Sequence, residues 1–383
     1  MKSPLALKLA ALTLTALCAS TALAQIKIGV TVSTTGPAVS LGIPEKNTIA
    51  LLPKTMGGKS VEYVVFDDAS DTSAAVANTR RLATEYKVDA IIGSTTTPNS
   101  LAMTEAVAEH RTPTISLASS ARIIEPMDAK KAWVFKTPQT DTMMVLAILE
   151  HAAKRGMKTM AYIGFSDALG EAFYAEFEKF AAVRKISIVA SERFSPRDTS
   201  VTAQTVKLLA TNPDMVVIGA SGTPALVPTR ALAERGFKGS LYFNHGVANN
   251  DFLRVGGKDI EGAFVPTSPV LVAAALPADH PAKAQAMDYV KRYEAMYGAG
   301  TVSAFGAYTW DAGLLLAQAI PVALKTAQPG TVEFRTALRD ALEGVRDLKV
   351  SNGVSNMSKN DHLGLDQRAR VIVRVEGGKW KLD

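Results

Sequence analysis

The sequence predicts an α/β protein whose sheets are parallel and doubly wound, and two observations support this fold class. Short apolar strands alternate with amphipathic helices along most of the chain, and short loops join them, which is typical of parallel sheets covered by helices. The chain has 383 residues and a single cysteine, Cys18, so a large hydrophobic core must stabilise it without a structural disulfide. This length indicates two domains.

The N-terminal segment 1–24 is typical of a secretory signal peptide. Lys2 and Lys8 form its basic start, the apolar run 9–17 follows, and an A-x-A cleavage site ends at Ala24. We therefore expect export and cleavage, with the mature protein in the periplasm. The net charge of +6 at pH 7 is small and scattered along the chain, so nucleic acid is not an expected partner.

The strands and helices of the first half follow from apolar periodicity and from proline positions. Pro44 is expected to open a short helix that Pro53 ends, and Pro98 suits the first turn of another helix. The predicted strands are 26–32, 61–66, 91–92 and 114–117, and a further helix is predicted at 72–86.

The second half repeats the alternation. Strands are predicted at 159–163, 186–192, 215–218, 241–244, 263–265 and 369–375, with a further strand around Trp380. Helices are predicted at 171–183, 201–210, 225–236, 282–297, 304–324 and 332–342.

Two hydroxyl-rich loops, 94–97 and 118–120, follow neighbouring predicted strands within one β-α-β unit. The carboxyl ends of parallel strands meet at one edge of the sheet, where such folds bind ligands. Helix N-termini at this edge carry free N–H groups and a partial positive charge, so hydroxyls beside them can hold a carboxylate. The alternative is that these residues serve only as N-caps and turns.

Motifs that would indicate a metal site or an enzyme are incomplete. The acidic run 67–71 lacks the EF-hand spacing, and capping of the next helix explains it better. The segment 219–222 is one residue short of a G-x-S-x-G nucleophile elbow, and the five histidines show no metal-ligand spacing. We therefore expect no metal, no cofactor and no catalysis, although distant residues could still assemble the triad of an exported hydrolase.

Six segments together resemble the leucine/isoleucine/valine-binding protein family, the periplasmic solute receptors of ABC importers. Their order and spacing, more than any single motif, carry this resemblance, which covers nearly all of the chain after residue 24. The segments are 28–42, 63–82, 91–120, 161–173, 246–249 and 303–312.

The resemblance implies a type I periplasmic binding protein with two doubly wound lobes and a hinge of three crossings, near 136–140, 266–270 and 352–358. The ligand would lie between lobes that close by hinge rotation, and the partner would be an ABC permease in the inner membrane. We expect a monomer. The implied division assigns 25–138 plus 268–354 to the N-terminal lobe and 139–267 plus 355–383 to the C-terminal lobe.

Several binding positions of the family carry over to this sequence. The resemblance implies that the Thr97 hydroxyl donates to a ligand carboxylate, that Ala118 offers backbone groups, and that Ser120 offers a hydroxyl. Replacing Ser120 by alanine would then weaken binding by about ten- to a hundredfold. Phe305 would form a pocket wall, and Ser221 or the adjacent Gly222 stands where the family has a tyrosine.

Three departures from the family change the expected ligand. Leu41 and Leu169 replace tyrosines, and His245 replaces the acid that pairs with the ammonium group of an amino acid. Because a buried ammonium without a carboxylate partner is costly, we expect a small organic acid without a free α-ammonium, such as an aromatic or branched carboxylate.

A dicarboxylate using His245 or Arg122 is also compatible, and its affinity would rise as falling pH protonates the imidazole. Alternatively, His245 packs at the cleft edge, and Asp167 pairs with the ammonium group of an amino-acid ligand. A protein of the same two-lobed fold could also regulate a sensor or an operon instead of delivering its ligand to an importer.

Overall fold

The computed structural model describes residues 25–383, so the predicted signal peptide lies outside the described residues. Strands β1 to β6 form one sheet in the order β2-β3-β1-β4-β5-β6. In chain order these strands are Ile26–Val32, Thr55–Met56, Lys59–Asp67, Ala90–Gly93, Thr114–Ser116 and Val134–Lys136. Pairing is parallel from β3 through β6, as predicted, and only the two-residue β2 is antiparallel.

A second sheet has the order β15-β14-β11-β10-β9-β7-β8. Its strands β7 to β11 are Thr159–Phe165, Ser187–Phe194, Met215–Gly219, Ser240–Phe243 and Phe264–Thr267, and they pair in parallel. The C-terminal strands β14 (Val371–Glu376) and β15 (Lys379–Leu382) add to it in antiparallel fashion. A separate antiparallel hairpin is formed by β12 (Leu348–Val350) and β13 (Gly353–Ser355).

Eleven α-helices lie among residues 25–383. The first six, α1 to α6, are Val39–Ile49, Thr72–Thr84, Thr97–Glu109, Asp141–Lys154, Ala168–Phe180 and Thr202–Leu209. The remaining five, α7 to α11, are Leu226–Glu234, Asn250–Gly256, Lys283–Tyr297, Ala304–Ala323 and Val332–Glu343. Buried residues of α9, α10 and α11 share one hydrophobic core with β1, so these late helices pack on the first sheet.

The structure confirms the two-lobed α/β fold and corrects several local predictions. Helix α1 begins at Val39, and Pro44 lies inside it instead of opening it. The proline removes only the hydrogen bond to the Ser40 carbonyl, while Leu41 and Thr48 are buried seven residues apart on one helix face. Helix α4 and the β12–β13 hairpin were not predicted from the sequence.

Helix α10 connects all three segments in which the chain passes between the sheets. The Asp311 carboxylate accepts a hydrogen bond from Nδ2 of Asn352, at 2.5 Å, and Oδ1 of Asn352 accepts one from the Ser268 hydroxyl. One turn earlier, the Tyr308 hydroxyl donates to Oε1 of Gln139 at 3.1 Å. The crossing segments are therefore tied to the helix whose first turn reaches the space between the lobes.

Candidate functional site

The two lobes are in contact, and a cavity of about 240 Å³ lies between them. Gly222, with a φ of +63°, lies so near the other lobe that an added Cβ would be 3.1 Å from Oγ of Ser40 and 3.2 Å from Cδ1 of Leu41. The backbone N–H of Ala304 donates to the carbonyl of Ala248 across the cleft at 3.1 Å. The volume is below the usual range for drug-sized pockets, which favours a small solute.

Each lobe contributes one wall of this cavity. The N-terminal wall comprises Thr95, Thr97, Asn99, Ala118 and Ser119, and the C-terminal wall comprises Phe165, Leu169, Ser221, Asn244 and His245. Leu41, Phe305 and Tyr308 line the cavity from the N-terminal side, and Asp167 and Arg197 line it from the other.

The N-terminal wall is held by a buried carboxylate at the ends of three strands. Asp68 accepts hydrogen bonds from the hydroxyls of Ser33 at 2.6 Å and Ser94 at 2.7 Å, and from the N–H of Ser70 at 3.1 Å. These three residues follow β1, β4 and β3, so a single side chain fixes the loops that start the wall. Asp71 caps α2 by accepting from the N–H of Ala74 at 2.8 Å, so the capping role predicted for the acidic run is confirmed.

A second buried acid supports the wall beneath Thr95. The Thr95 hydroxyl donates to the Glu45 carboxyl group and accepts from the N–H of Ser33 at 2.9 Å. Burial raises the pKa of Glu45 well above its usual value, since the side chain is fully enclosed and the charge of Asp68 acts in the same direction. Burial therefore disfavours a negative charge directly behind Thr95.

Lys136, at the end of β6, supplies a buried positive charge near the cavity. Its ammonium donates to the carbonyl oxygens of Ser119 and Pro138, both at 2.7 Å, and to that of Gln139 at 3.2 Å. Burial lowers the pKa of Lys136, and the nearby Asp141 carboxylate opposes this effect. The lysine therefore lies behind Ser119 and ties the carbonyls of the second hydroxyl-rich loop and of the first crossing segment together.

The C-terminal wall combines the apolar side chains of Phe165 and Leu169 with polar groups, among them His245 and Asp167. Burial lowers the pKa of His245 to about 3, and the charge of Lys136 adds to the effect. The imidazole is therefore neutral near pH 7. The expectation that falling pH strengthens binding of a dicarboxylate through His245 stays a prediction. Asp167, the acid considered as its substitute, caps α5 by accepting from the N–H groups of Leu169 at 2.9 Å and Gly170 at 3.1 Å.

Seven of the eight predicted binding residues line the cavity, and Ser120 does not. The seven are Leu41, Thr97, Ala118, Leu169, Ser221, His245 and Phe305. The Ser120 hydroxyl accepts from the N–H of Arg122 at 3.3 Å, within a short 3-10 turn, and Arg122 is exposed outside the lining. The N–H of Ala118 donates to Oγ of Ser116 at 3.1 Å, which leaves its carbonyl as the free backbone group.

Asn99, Asn244 and Lys136 were not predicted as site residues. Asn99 follows Pro98 in the first turn of α3, and a polar side chain there was a usable signal for a group facing a ligand. Lys136 ends an otherwise apolar strand, where a lysine is unusual. Within residues 25–383, no group of three or more His, Cys, Asp or Glu side chains is placed to hold a metal ion.

Two α/β lobes with a small cavity between them define a ligand-binding protein of the type I periplasmic binding fold. A family model described as periplasmic binding protein matches residues 25–379. The chain belongs to this family, in its leucine/isoleucine/valine-binding type. No helix in the described part of the chain is long and apolar enough to cross a membrane.

Three relatives illustrate the range of this family. An extracellular ligand-binding receptor from Rhodopseudomonas palustris HaA2 is 43% identical, covers 94% of this chain and 100% of its own, and superposes with a TM-score of 0.91. A Leu/Ile/Val-binding protein homolog 3 from Brucella melitensis biotype 1 is 23% identical over 255 residues, 64% of this chain and 68% of its own. A solute-binding protein of an ABC transporter from R. palustris, in complex with benzoate, is 22% identical with a TM-score of 0.79, covering 94% of this chain and 95% of its own.

Proposed function

We propose that the protein is the extracytoplasmic solute-binding receptor of an ABC importer, and that it delivers a small organic carboxylate to a permease in the inner membrane. The observation that carries the proposal is the small cavity between the lobes, which combines the buried polar groups of Thr97 and Asn99 on one lobe with the apolar side chains of Phe165 and Leu169 on the other. The protein would work in the periplasm as a monomer, without catalysis. The lobe boundaries predicted from the sequence are part of this proposal.

The N-terminal wall would bind the carboxylate. The Thr97 hydroxyl has no hydrogen-bond partner among the described residues and is about 1% exposed, so it can donate to a ligand oxygen. The Lys136 ammonium, behind Ser119, would add long-range attraction without direct contact. Charge-assisted hydrogen bonds of this kind contribute roughly 1.5–3 kcal/mol each.

The remaining lining favours an apolar body without an ammonium group. Leu41, Leu169, Phe165 and Phe305 form the apolar surface, and the neutral His245 lies where amino-acid binders have an acid. The benzoate complex of the R. palustris relative supports this class, since a protein of the same fold holds an aromatic carboxylate.

A branched-chain amino acid is the second candidate, and one observation favours it. Asp167 lines the cavity, and only its Oδ1 is engaged as the cap of α5, so its second oxygen could face an ammonium. The name of the Brucella relative also points to such ligands. We favour the organic acid because the neutral His245 offers an ammonium no countercharge, and because Asp167 is already held by the N–H groups of Leu169 and Gly170.

The compound that co-purifies with the protein tests this proposal. The protein would be expressed with its signal segment, isolated from the periplasm and analysed by native mass spectrometry, before and after acid release of bound solute. We expect a carboxylic acid that lacks an α-amino group. Recovery of leucine, isoleucine or valine would contradict the proposed ligand class, and recovery of a compound without a carboxylate would contradict the carboxylate site.

A further inference from the structure

Buried polar atoms without partners are concentrated on both walls of the cavity. Within residues 25–383, they include the Thr97 hydroxyl, both amide atoms of Asn99 and both ring nitrogens of His245. All three residues line the cavity, and each is about 1% exposed. A buried polar atom without a partner costs roughly 1–3 kcal/mol, so these atoms indicate groups that a bound ligand satisfies.

A carboxylate alone cannot satisfy all of them. A carboxylate offers only acceptors, so it can serve the Thr97 hydroxyl and the Asn99 amide nitrogen but not the Asn99 amide oxygen. The neutral imidazole of His245 has one donor and one acceptor nitrogen, and its acceptor also requires a donor. Exchange of oxygen and nitrogen in the Asn99 amide does not alter this count, because both atoms lack partners. Each wall therefore has one buried acceptor that needs a donor.

We infer that the ligand carries a hydrogen-bond donor in addition to its carboxylate, and that Asn99 is the specificity-determining residue that recognises it. This inference rests on the proposed function and narrows its ligand class. An uncharged hydroxyl fits both walls, since it can donate to the Asn99 oxygen or to His245 and accept from either. A hydroxylated organic acid is the resulting class, in contrast to a plain hydrocarbon acid.

Matched ligands test the requirement for a donor. Isothermal titration of the protein, stripped of bound solute, would use benzoate, the three monohydroxybenzoates and the three methoxybenzoates. An aliphatic pair, 4-methylpentanoate and 2-hydroxy-4-methylpentanoate, would extend the series. The methoxy group accepts but cannot donate, so it separates the need for a donor from the need for polarity. We expect at least one hydroxy acid to bind about ten- to a hundredfold more tightly than its plain and methoxy partners.

Two variants test the role of Asn99. Asn99→Leu, similar in size but without polar atoms, should reduce the preference for the hydroxy acid to less than about threefold while plain acids bind at least as well as before. Asn360→Leu, at an exposed loop position outside the lining, is the matched control and should keep the full preference. If circular dichroism shows that Asn99→Leu is unfolded, Asn99→Ala replaces it.

The outcomes separate this inference from the proposed function. Equal affinity of the wild type for plain and hydroxylated acids would overturn the inference, as would a full hydroxyl preference in folded Asn99→Leu, while leaving an organic-acid receptor in place. Binding of leucine with no response to any organic acid would overturn the proposed ligand class and the inference together.

Discussion

The two walls of the cavity differ in how their polar groups are supported. On the N-terminal wall, Asp68 joins the loops after three strands, and Lys136 places a buried charge behind Ser119. On the C-terminal wall, His245 has no hydrogen-bond partner among the described residues, and Phe165 and Leu169 line the same side of the cavity. The proposed division of roles follows from this difference: the firmly supported wall would bind the carboxylate, and the other wall would select the rest of the ligand.

Removing the carboxylate of Asp68 should disrupt the loops of the N-terminal wall. Among the proposed substitutions, it should lower the free energy of unfolding most. Asp68→Ala leaves several buried donors without an acceptor, so we expect the free energy of unfolding to fall by about 3–5 kcal/mol. Urea denaturation would measure it. The matched control is Asp71→Ala, which removes only the cap of α2 and should cost about 1 kcal/mol. Similar small losses in both variants would show that Asp68 does not organise the wall.

Within the N-terminal wall, Thr97 should contribute to binding and Ser120 should not. Thr97→Val keeps the shape but removes the donor, so affinity for a carboxylate ligand should fall by about ten- to a hundredfold. Ser120→Ala should leave affinity nearly unchanged, because the Ser120 hydroxyl caps a turn outside the lining. Titration calorimetry on both variants measures these affinities. A larger loss of affinity in Ser120→Ala than in Thr97→Val would support the sequence-based prediction that Ser120 binds the ligand.

On the C-terminal wall, His245 should make the stability of the folded protein depend on pH in the acidic range. Its pKa is about 3 in the folded protein and near 6.5 in an unfolded chain, so only the unfolded chain binds a proton between these values. Its contribution to stability is full above about pH 6.5 and is lost as the pH falls toward 3, by at most about 1.4 kcal/mol per pH unit.

His245→Gln, which cannot titrate, isolates this effect from the carboxylates that both proteins share. Between pH 7 and pH 5, urea denaturation should show the wild type losing about 1–2 kcal/mol more than the variant. Equal losses would mean that His245 is solvated or charged in the folded state.

Much of the fold was predictable from the sequence because its signals are local. Strand β1 was predicted with its observed ends, and the Pro98 position identified the first turn of α3. The start of α1 was mispredicted, since burial of Leu41 outweighs the helix-breaking tendency of Pro44, and burial depends on tertiary contacts. Local patterns do not show such contacts.

The site was predictable to the extent that it lies on loops at strand ends. Thr97 was found from its hydroxyl-rich loop, whereas the adjacent Asn99 was missed because its importance lies in being buried without a partner. The pKa of His245 likewise depends on burial and on Lys136, which is distant in sequence. The roles of groups that depend on burial could therefore be recognised only in the three-dimensional structure.

The central claim is that this protein binds an organic acid without an α-ammonium group, and one titration tests it most directly. Leucine and 2-hydroxy-4-methylpentanoate share a carbon skeleton and a carboxylate, and they differ only in an ammonium or a hydroxyl at the second carbon. Isothermal titration of both into the solute-free protein at pH 7 compares these two groups in the same cavity. We predict that the hydroxy acid binds at least about tenfold more tightly than leucine, because the neutral His245 offers an ammonium no countercharge. Tighter binding of leucine would contradict the account and show that Asp167 replaces the missing acid.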